Sequence, residues 1–508
     1  MSLRNKVIDI KSLKKLKEKH KRKKIVLCHG VFDLLHVGHI NYFQSAKKLG
    51  DILVVSVTED KFVNKGPGRP AFTIYNRVKF LKEINLIDYV CVSNDITSEK
   101  IIKNLKPDFY CKGIEYNVKK SYKDINLKKE LKALKTIKGK YHTINEPSFS
   151  SSKYINENEL QNISSDCKKF VNSLRNEFQQ SEINNFLDNI KDKKILILGE
   201  TIIDKYITTE AIGKSGKEPM MVVQQKKKIK FLGGVGYIAN LCSSFVKEVK
   251  MISFLGDRNS EKKYVLNKLN KKIKHHLLIK KNSPTITKTR YLDDYRKTKM
   301  LGVYELNDDL ISKHEETKLY KILKSNLNKY DIIIVADYGH GIITEKIRNL
   351  IIKYGKKLFL NTQINSFNRG YHTVFKYKKM NSYIINESEL RYELKDRSSS
   401  LEYLTKKLFK KISLKNIIVT RGRWGAKIFN SRNKNVISCP AFNENTIDTV
   451  GAGDTFFALF SLSLGSNVNK RIGLLISSLA ASYSVDQLGN ILTFNFNILK
   501  KHLSHIFK

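Results

Sequence analysis

The 508-residue chain predicts an α/β fold, built as two doubly wound domains. Short apolar runs recur along it: Ile25-Val26-Leu27-Cys28, Leu53 to Val57, Ile195 to Leu198, Ile332 to Val335 and Ile417 to Val419. Runs of this length without polar alternation read as strands buried on both faces, as in a parallel sheet. Several of them lead into glycine, carboxylate or hydroxyl residues, and open α/β sheets bind ligands at those strand ends. The length exceeds a usual single domain and suffices for two cores.

The C-terminal half carries the most informative string, Asp448-Thr449-Val450-Gly451-Ala452-Gly453-Asp454. The small residues Gly451, Ala452 and Gly453 let backbone N–H groups converge on phosphate oxygens. The apolar run from Phe456 reads as a helix whose positive end faces that anion. Asp454 stands where a substrate hydroxyl would lose its proton, which makes it the candidate catalytic base. The string resembles the signature of ribokinase-like sugar kinases, and about residues 191 to 508 are identified as similar to that family.

That resemblance implies further site residues. Ile195 to Asp204 reads as one apolar strand delivering a carboxylate, and the family uses such an Asp for sugar hydroxyls; taken alone, Asp204 could equally cap a helix or turn. Gly233 and Gly234 resemble the family's di-glycine, where backbone approaches the sugar, although Tyr237 and Ile238 replace its nearby Asn. Thr285 to Tyr304 reads as a hairpin resembling the small β lid, with Arg290 for a substrate phosphate or, as blandly, on a solvated edge strand. Asn386 and Glu389 resemble the Asn-x-x-Glu that organises magnesium and water around nucleotide phosphates. Thr420, Gly422 and Gly425 resemble the nucleotide-contacting turn. Kinases of heptose phosphate carry Asp-Pro-Lys-Gly where this chain has Asn361 to Asn365, so amides replace a cation and a carboxylate.

The N-terminal half reads as a second chemistry. Strand Ile25 to Cys28 runs into His29-Gly30-Val31-Phe32-Asp33-Leu34-Leu35-His36-Val37-Gly38-His39. His36 and His39 are three apart at a helix start, so both imidazoles can face one phosphate beside the helix dipole. They are the candidate catalytic donors for charge building on a nucleoside triphosphate; a metal pair or a polar helix face is the alternative, without a Cys or acidic partner at ligand spacing. The string resembles the nucleotidylyltransferase signature of the cytidylyltransferase-like superfamily, which implies a Rossmann-like domain. Phosphate or nucleotide contacts are then expected from Gly30, Phe32, Asp33, Lys65, Arg77, Ser150, Ser151 and Ser152. Asn145 replaces the Arg that glycerol-phosphate cytidylyltransferases carry before the serine loop.

The expected organisation is a nucleotidylyltransferase domain over 1–155, a helical connector over 156–191, and a kinase domain over 192–508. The connector expectation rests on Phe170, Leu174, Phe178, Ile183, Phe186 and Leu187 at helical spacing. Lys11 to Lys24 reads as a surface helix. Six scattered cysteines suggest reduced thiols and a cytoplasmic protein. No apolar stretch reaches about 18 residues, so no membrane partner is expected. The net charge of +46 raises nucleic-acid binding as a competing class, but the lysines are spread over both halves without a nucleic-acid-binding motif.

Together the halves resemble the bifunctional heptose-phosphate kinases and nucleotidylyltransferases, with the domain order reversed. That resemblance implies ATP-dependent phosphorylation of a sugar or sugar phosphate, Mg2+ as cofactor, and nucleotidylyl transfer from ATP or CTP to a sugar 1-phosphate. A polyol-phosphate cytidylyltransferase fused to a kinase of other or lost specificity is the alternative. Sugar phosphates and nucleotides are the expected partners, with a homodimer through the kinase lid. No protein-held metal centre is expected.

Overall fold

The computed structural model describes residues 6–63, 70–113, 125–144, 164–355, 357–365, 367–432, 435–443 and 446–507. The chain divides into two compact units, Met1–Asn162 and Ile163–Lys508. Lys65, Asn145 and Ser150 to Ser152 lie outside the described residues.

In the first unit, β1 (Ile25–Gly30), β2 (Ile52–Thr58), β3 (Tyr89–Ser93), β4 (Phe109–Gly113) and β5 (Lys140–Ile144) form one parallel sheet. Its order is β3-β2-β1-β4-β5. Alternate side chains of the apolar strands serve two cores. Val26 and Cys28 pack with Phe43, Ala46 and Leu81; Ile25 and Leu27 pack with Ile101, Leu105 and Leu134. The opening helix Ser12–Lys19 is more than a surface element, since Leu13 and Leu16 are buried in the second of these cores. The strand order reverses between β1 and β4, and such a reversal opens a crevice at the carboxyl ends of the strands. Gly30 and Gly113 end those two strands.

The second unit has a nine-stranded sheet of order β10-β9-β6-β13-β14-β15-β16-β17-β18. Its members are β6 (Lys194–Gly199), β9 (Glu248–Arg258), β10 (Lys274–Pro284), β13 (Ile332–Asp337), β14 (Leu358–Thr362), β15 (Ser382–Asn386), β16 (Asn416–Thr420), β17 (Ala426–Asn430) and β18 (Ile437–Cys439). All pair in parallel up to β16, and the last two are antiparallel. A separate sheet of order β12-β11-β7-β8 contains β7 (Thr201–Lys214), β8 (Met221–Gly233), β11 (Thr287–Asp293) and β12 (Lys299–Glu305). It is the expected lid, and β11 and β12 are the expected hairpin.

Three expectations change. The run Ile195 to Asp204 is two strands, because the chain leaves the main sheet after Gly199 and enters the lid, so Asp204 is a lid residue. A Cβ on Gly199 would collide with the Ala336 carbonyl of β13, so this exit needs glycine. The described part of the expected connector folds as helices Ser165–Glu177 and Gln180–Lys191, and Phe170, Leu174, Ile183 and Leu187 join the core of the second unit. The helix expected from Phe456 begins at Ala452. Apolar on nearly all sides, it is buried from Thr455 to Ser463, directly after its first turn.

Candidate active sites

A cavity of about 550 Å3 lies between the lid and the carboxyl ends of the main sheet in the second unit. The helix Ala452–Gly465 points its first turn into it, with Gly451, Ala452, Gly453 and Asp454 in the wall. Gly451 caps that helix in the left-handed region at φ +86°, and a Cβ there would collide with the Asn490 amide. Asp454 accepts a hydrogen bond from Tyr338 Oη at 2.9 Å on Oδ1. Burial lifts its carboxyl to about 6; the Tyr338 hydrogen bond opposes this, nearby Asp204 adds to it and Lys288 opposes it.

The lid supplies the opposite wall. Asp204 on β7 and Lys288 and Arg290 on β11 face the cavity, as the register pairing Lys288 with Asp204 and Arg290 with Tyr206 requires for one face of a sheet. Arg290 Nη1 lies 2.5 Å from Asp204 Oδ1, and Asn490 Nδ2 donates to Asp204 Oδ2 at 3.0 Å. The Asp204 carboxylate and the Arg290 guanidinium are thus brought together as a pair. Gly234 lines the cavity, whereas Gly233 packs under Asp204, whose Oδ2 occupies the space that a Cβ would need.

Asn386, Glu389, Thr420, Gly422 and Gly425 line the other end. Asn386 and Glu389 form a capping box: Asn386 Oδ1 accepts from Ser388 N at 2.9 Å and Glu389 Oε2 from Asn386 N at 3.1 Å. Glu389 Oε1 accepts from Ile364 N at 3.3 Å, and burial pushes this carboxyl up to about 7. A buried carboxylate whose hydrogen bonds come from neutral N–H groups fits a hydrated dication held chiefly by nucleotide phosphates. Asn361 and Gln363 line the cavity too. Asn365 instead donates its Nδ2 to the Tyr338 carbonyl at 3.0 Å.

In the first unit, His36 caps the helix Val37–Lys47: its Nδ1 accepts from Gly38 N at 3.1 Å. His39 Nδ1 accepts from the His36 amide at 3.4 Å, and the ring centroids are 4.1 Å apart. An Nδ1 acceptor corresponds to the neutral tautomer with its proton on Nε2, and the His36 Nε2 is buried without a hydrogen-bond partner. Burial lowers the His36 pKa, which agrees with a neutral ring. Phe32, edge-on to His39, and Leu34 both hold φ of 49°, a left-handed conformation that costs non-glycine residues roughly 1–3 kcal/mol. Gly30 is the end of β1, and the Phe32 ring lies 3.1 Å from where its Cβ would be.

Asp33 and Arg77 are both engaged by the protein's own backbone. Asp33 is buried and its oxygens accept from Ala71 N and Phe72 N at 2.8 and 3.0 Å. Arg77 is 1% exposed and donates to the carbonyls of Phe72, Val31 and Thr58 and to Asp60 Oδ1. It clamps the loop after β1.

Lys288, Tyr338, Arg423 and Asn490 line the cavity without having been singled out from the sequence. The period of two from Arg290 would have found Lys288, and Tyr338 follows the carboxylate that ends β13. Asn490 lies in a loop before the last helix and carries no local signal. Among the described residues no cluster of three or more His, Cys, Asp or Glu could hold a metal ion, and no helix is long and apolar enough to cross a membrane.

A family model described as pfkB family carbohydrate kinase matches residues 192–494, and one described as cytidylyltransferase-like matches residues 27–166. Bifunctional protein HldE of Aliarcobacter butzleri (strain RM4018) is 29% identical over 309 residues, covering 60% of this chain and 63% of that protein. Its namesake in Helicobacter pylori (strain ATCC 700392 / 26695) is 43% identical over 109 residues, 21% of this chain and 24% of that one. The match therefore spans less than two thirds of the length of these relatives. Phosphofructokinase-2 from Escherichia coli superposes with a TM-score of 0.50 at 16% identity, covering 62% of this chain and 100% of that one, a likeness of fold.

Proposed function

The chain belongs to the pfkB family of carbohydrate kinases, and on that premise we propose that its second unit phosphorylates a sugar or sugar phosphate with ATP. The observation that carries this reading is Asp454 in the first turn of a buried helix, at the wall of a cavity shared with the lid. In the proposed reaction the substrate hydroxyl gives its proton to Asp454 as its oxygen bonds to the γ-phosphorus, and the bond to ADP breaks with its electron pair leaving on ADP. The N–H groups at Gly451 to Gly453 and the helix N-terminus stabilise the phosphate charge. Asn386 and Glu389 would hold Mg2+ through water, and that ion would neutralise phosphate charge. Asp204 and Asn490 take sugar hydroxyls, and Lys288 and Arg290 favour an anionic sugar.

We further propose that the first unit transfers AMP or CMP to a sugar 1-phosphate, with the His36 and His39 Nε2–H groups donating to the α-phosphate and to departing pyrophosphate. The pair suggests a cytoplasmic enzyme of nucleotide-sugar synthesis with transferase before kinase, acting on a heptose-phosphate-like substrate and dimerising through the lid. Incubation of heptose and hexose phosphates with ATP, and separately of their 1-phosphates with ATP or CTP, each followed by mass spectrometry, tests it. A further phosphorylated sugar is the expected product of the first and a nucleotide sugar of the second; sugar 1-phosphates left unchanged with both nucleotides reject the transferase half.

A further inference from the structure

The wall that faces Asp454 holds a side chain whose mounting is unusually complete. Tyr338 directly follows β13, where the strand order reverses between β6 and β13. Its N–H donates to Glu200 Oε2 at 3.0 Å, and its carbonyl accepts from Asn365 Nδ2 and Asn368 Nδ2 at 3.0 and 2.9 Å. The side chain is 1% exposed within the core, so both its backbone and its ring are held. The hydroxyl at the end of this mount meets Asp454 Oδ1 at 2.9 Å.

Resting on the kinase reading above, we propose that Tyr338 is a positioning residue for Asp454, committing Oδ1 by its hydrogen bond so that Oδ2 is presented to the substrate hydroxyl. A carboxylate free to rotate about its Cβ–Cγ bond would spend part of its time with neither oxygen in line, and fixing it removes that entropy from the barrier. Tyr338 keeps its own proton throughout. Burial and the neighbouring Asp454 hold its phenol well above the ordinary range, so it remains a donor. Donation to the ionised form also keeps Asp454 charged in a setting that disfavours charge. The other charged groups facing this pair are Asp204 and Lys288 on the lid, Glu200 after β6, and Glu389 on the helix Glu387–Glu393. Asn365, one of the amides in the altered segment after β14, thus acts on the base through Tyr338 instead of on the sugar.

The test compares the full-length chain with its Tyr338→Phe and Asp454→Asn variants. Infrared difference titration reads the Asp454 carboxyl, identified as the band missing in Asp454→Asn; transfer from ATP to a heptose phosphate gives turnover. In Tyr338→Phe the titration midpoint moves up and kcat falls roughly 10- to 100-fold, with KM for ATP nearly unchanged. A folded Tyr338→Phe protein whose carboxyl midpoint does not move overturns the proposal, whatever its kcat. The double variant Asn365→Ala/Asn368→Ala, which loosens the mount and leaves the phenol, should lose turnover in the same direction; wild-type kcat there also overturns it. If Asp454→Asn itself keeps turnover, the kinase reading fails; if it is dead and Tyr338→Phe titrates as wild type, only the role of Tyr338 fails.

Discussion

Arg290 and Asp204 close an ion pair across two neighbouring parallel lid strands, with 2.5 Å between Nη1 and Oδ1. The carboxylate side chain is 5% exposed, so it depends on this partner and on the Asn490 amide for the solvation it lost. Arg290→Met should therefore destabilise the second unit by about 3–5 kcal/mol, and the double variant Arg290→Met/Asp204→Asn by less, because no uncompensated charge is left buried. Urea unfolding of both variants checks this. Equal losses would mean that the pair is not energetically joined.

Asp454→Asn should lower sugar phosphorylation by about 100- to 10,000-fold while leaving nucleotidylyl transfer intact, since a positioned base is lost. A linked stability effect has a definite sign. The folded carboxyl sits near 6 against an ordinary 3.8, so the folded state binds the proton more tightly and stability falls as pH rises through that window. The Asn variant is free of this loss. Its melting temperature should exceed that of the parent at pH 8 and lose most of that advantage at pH 4. Kinase turnover of the parent should fall below about pH 6 as the base becomes protonated.

His36→Ala and His39→Ala should each reduce nucleotidylyl transfer by roughly 100- to 1,000-fold, chiefly in turnover. The reason is that charge grows on the phosphate oxygens in the transition state, where an Nε2–H donor acts most strongly. Pyrophosphate exchange at saturating nucleotide measures it. A variant that keeps turnover and raises only KM would assign the ring to ground-state binding instead.

Arg77→Met should act on stability, because the buried Thr58 carbonyl and three part-buried acceptors lose their donor. Unpaired buried acceptors cost about 1–3 kcal/mol each before relaxation. Thermal unfolding of the first unit should drop markedly, and the KM for nucleotide triphosphate should change little in whatever fraction stays folded. A stable variant with a raised KM would restore Arg77 as a phosphate ligand.

Lys299 on β12 and Tyr206 on β7 both bond Asp448, at 2.6 Å each, and Asp448 also accepts from Val450 N and Gly489 N. The loop that leads into the helix of Asp454 is thereby tied to the lid. Lys299→Met should lower kinase kcat by about 10-fold or more through misplacement of that loop, with Lys299→Arg keeping more activity. Steady-state kinetics on both variants decide it.

The sequence by itself determined the parts whose physics is local. Unbroken short apolar runs such as Ile332 to Val335 read as strands covered on both sides, and they are the centre of the observed sheets. Gly451-Ala452-Gly453-Asp454 and His36 to His39 each specify a helix start within a few residues, and both helix starts are present. Tertiary structure alone decided which side chains meet across the chain. Asn490 reaches Asp204 from 286 positions away, and Tyr338 reaches Asp454 from 116. The same limit holds for Arg77 and Asp33, whose backbone partners come from segments separate in sequence. It explains the expected connector too. An apolar stripe on helices 165–177 and 180–191 fixes that something must cover it, while the identity of that cover, the core beside Ile195 and Val249, depends on how distant segments pack.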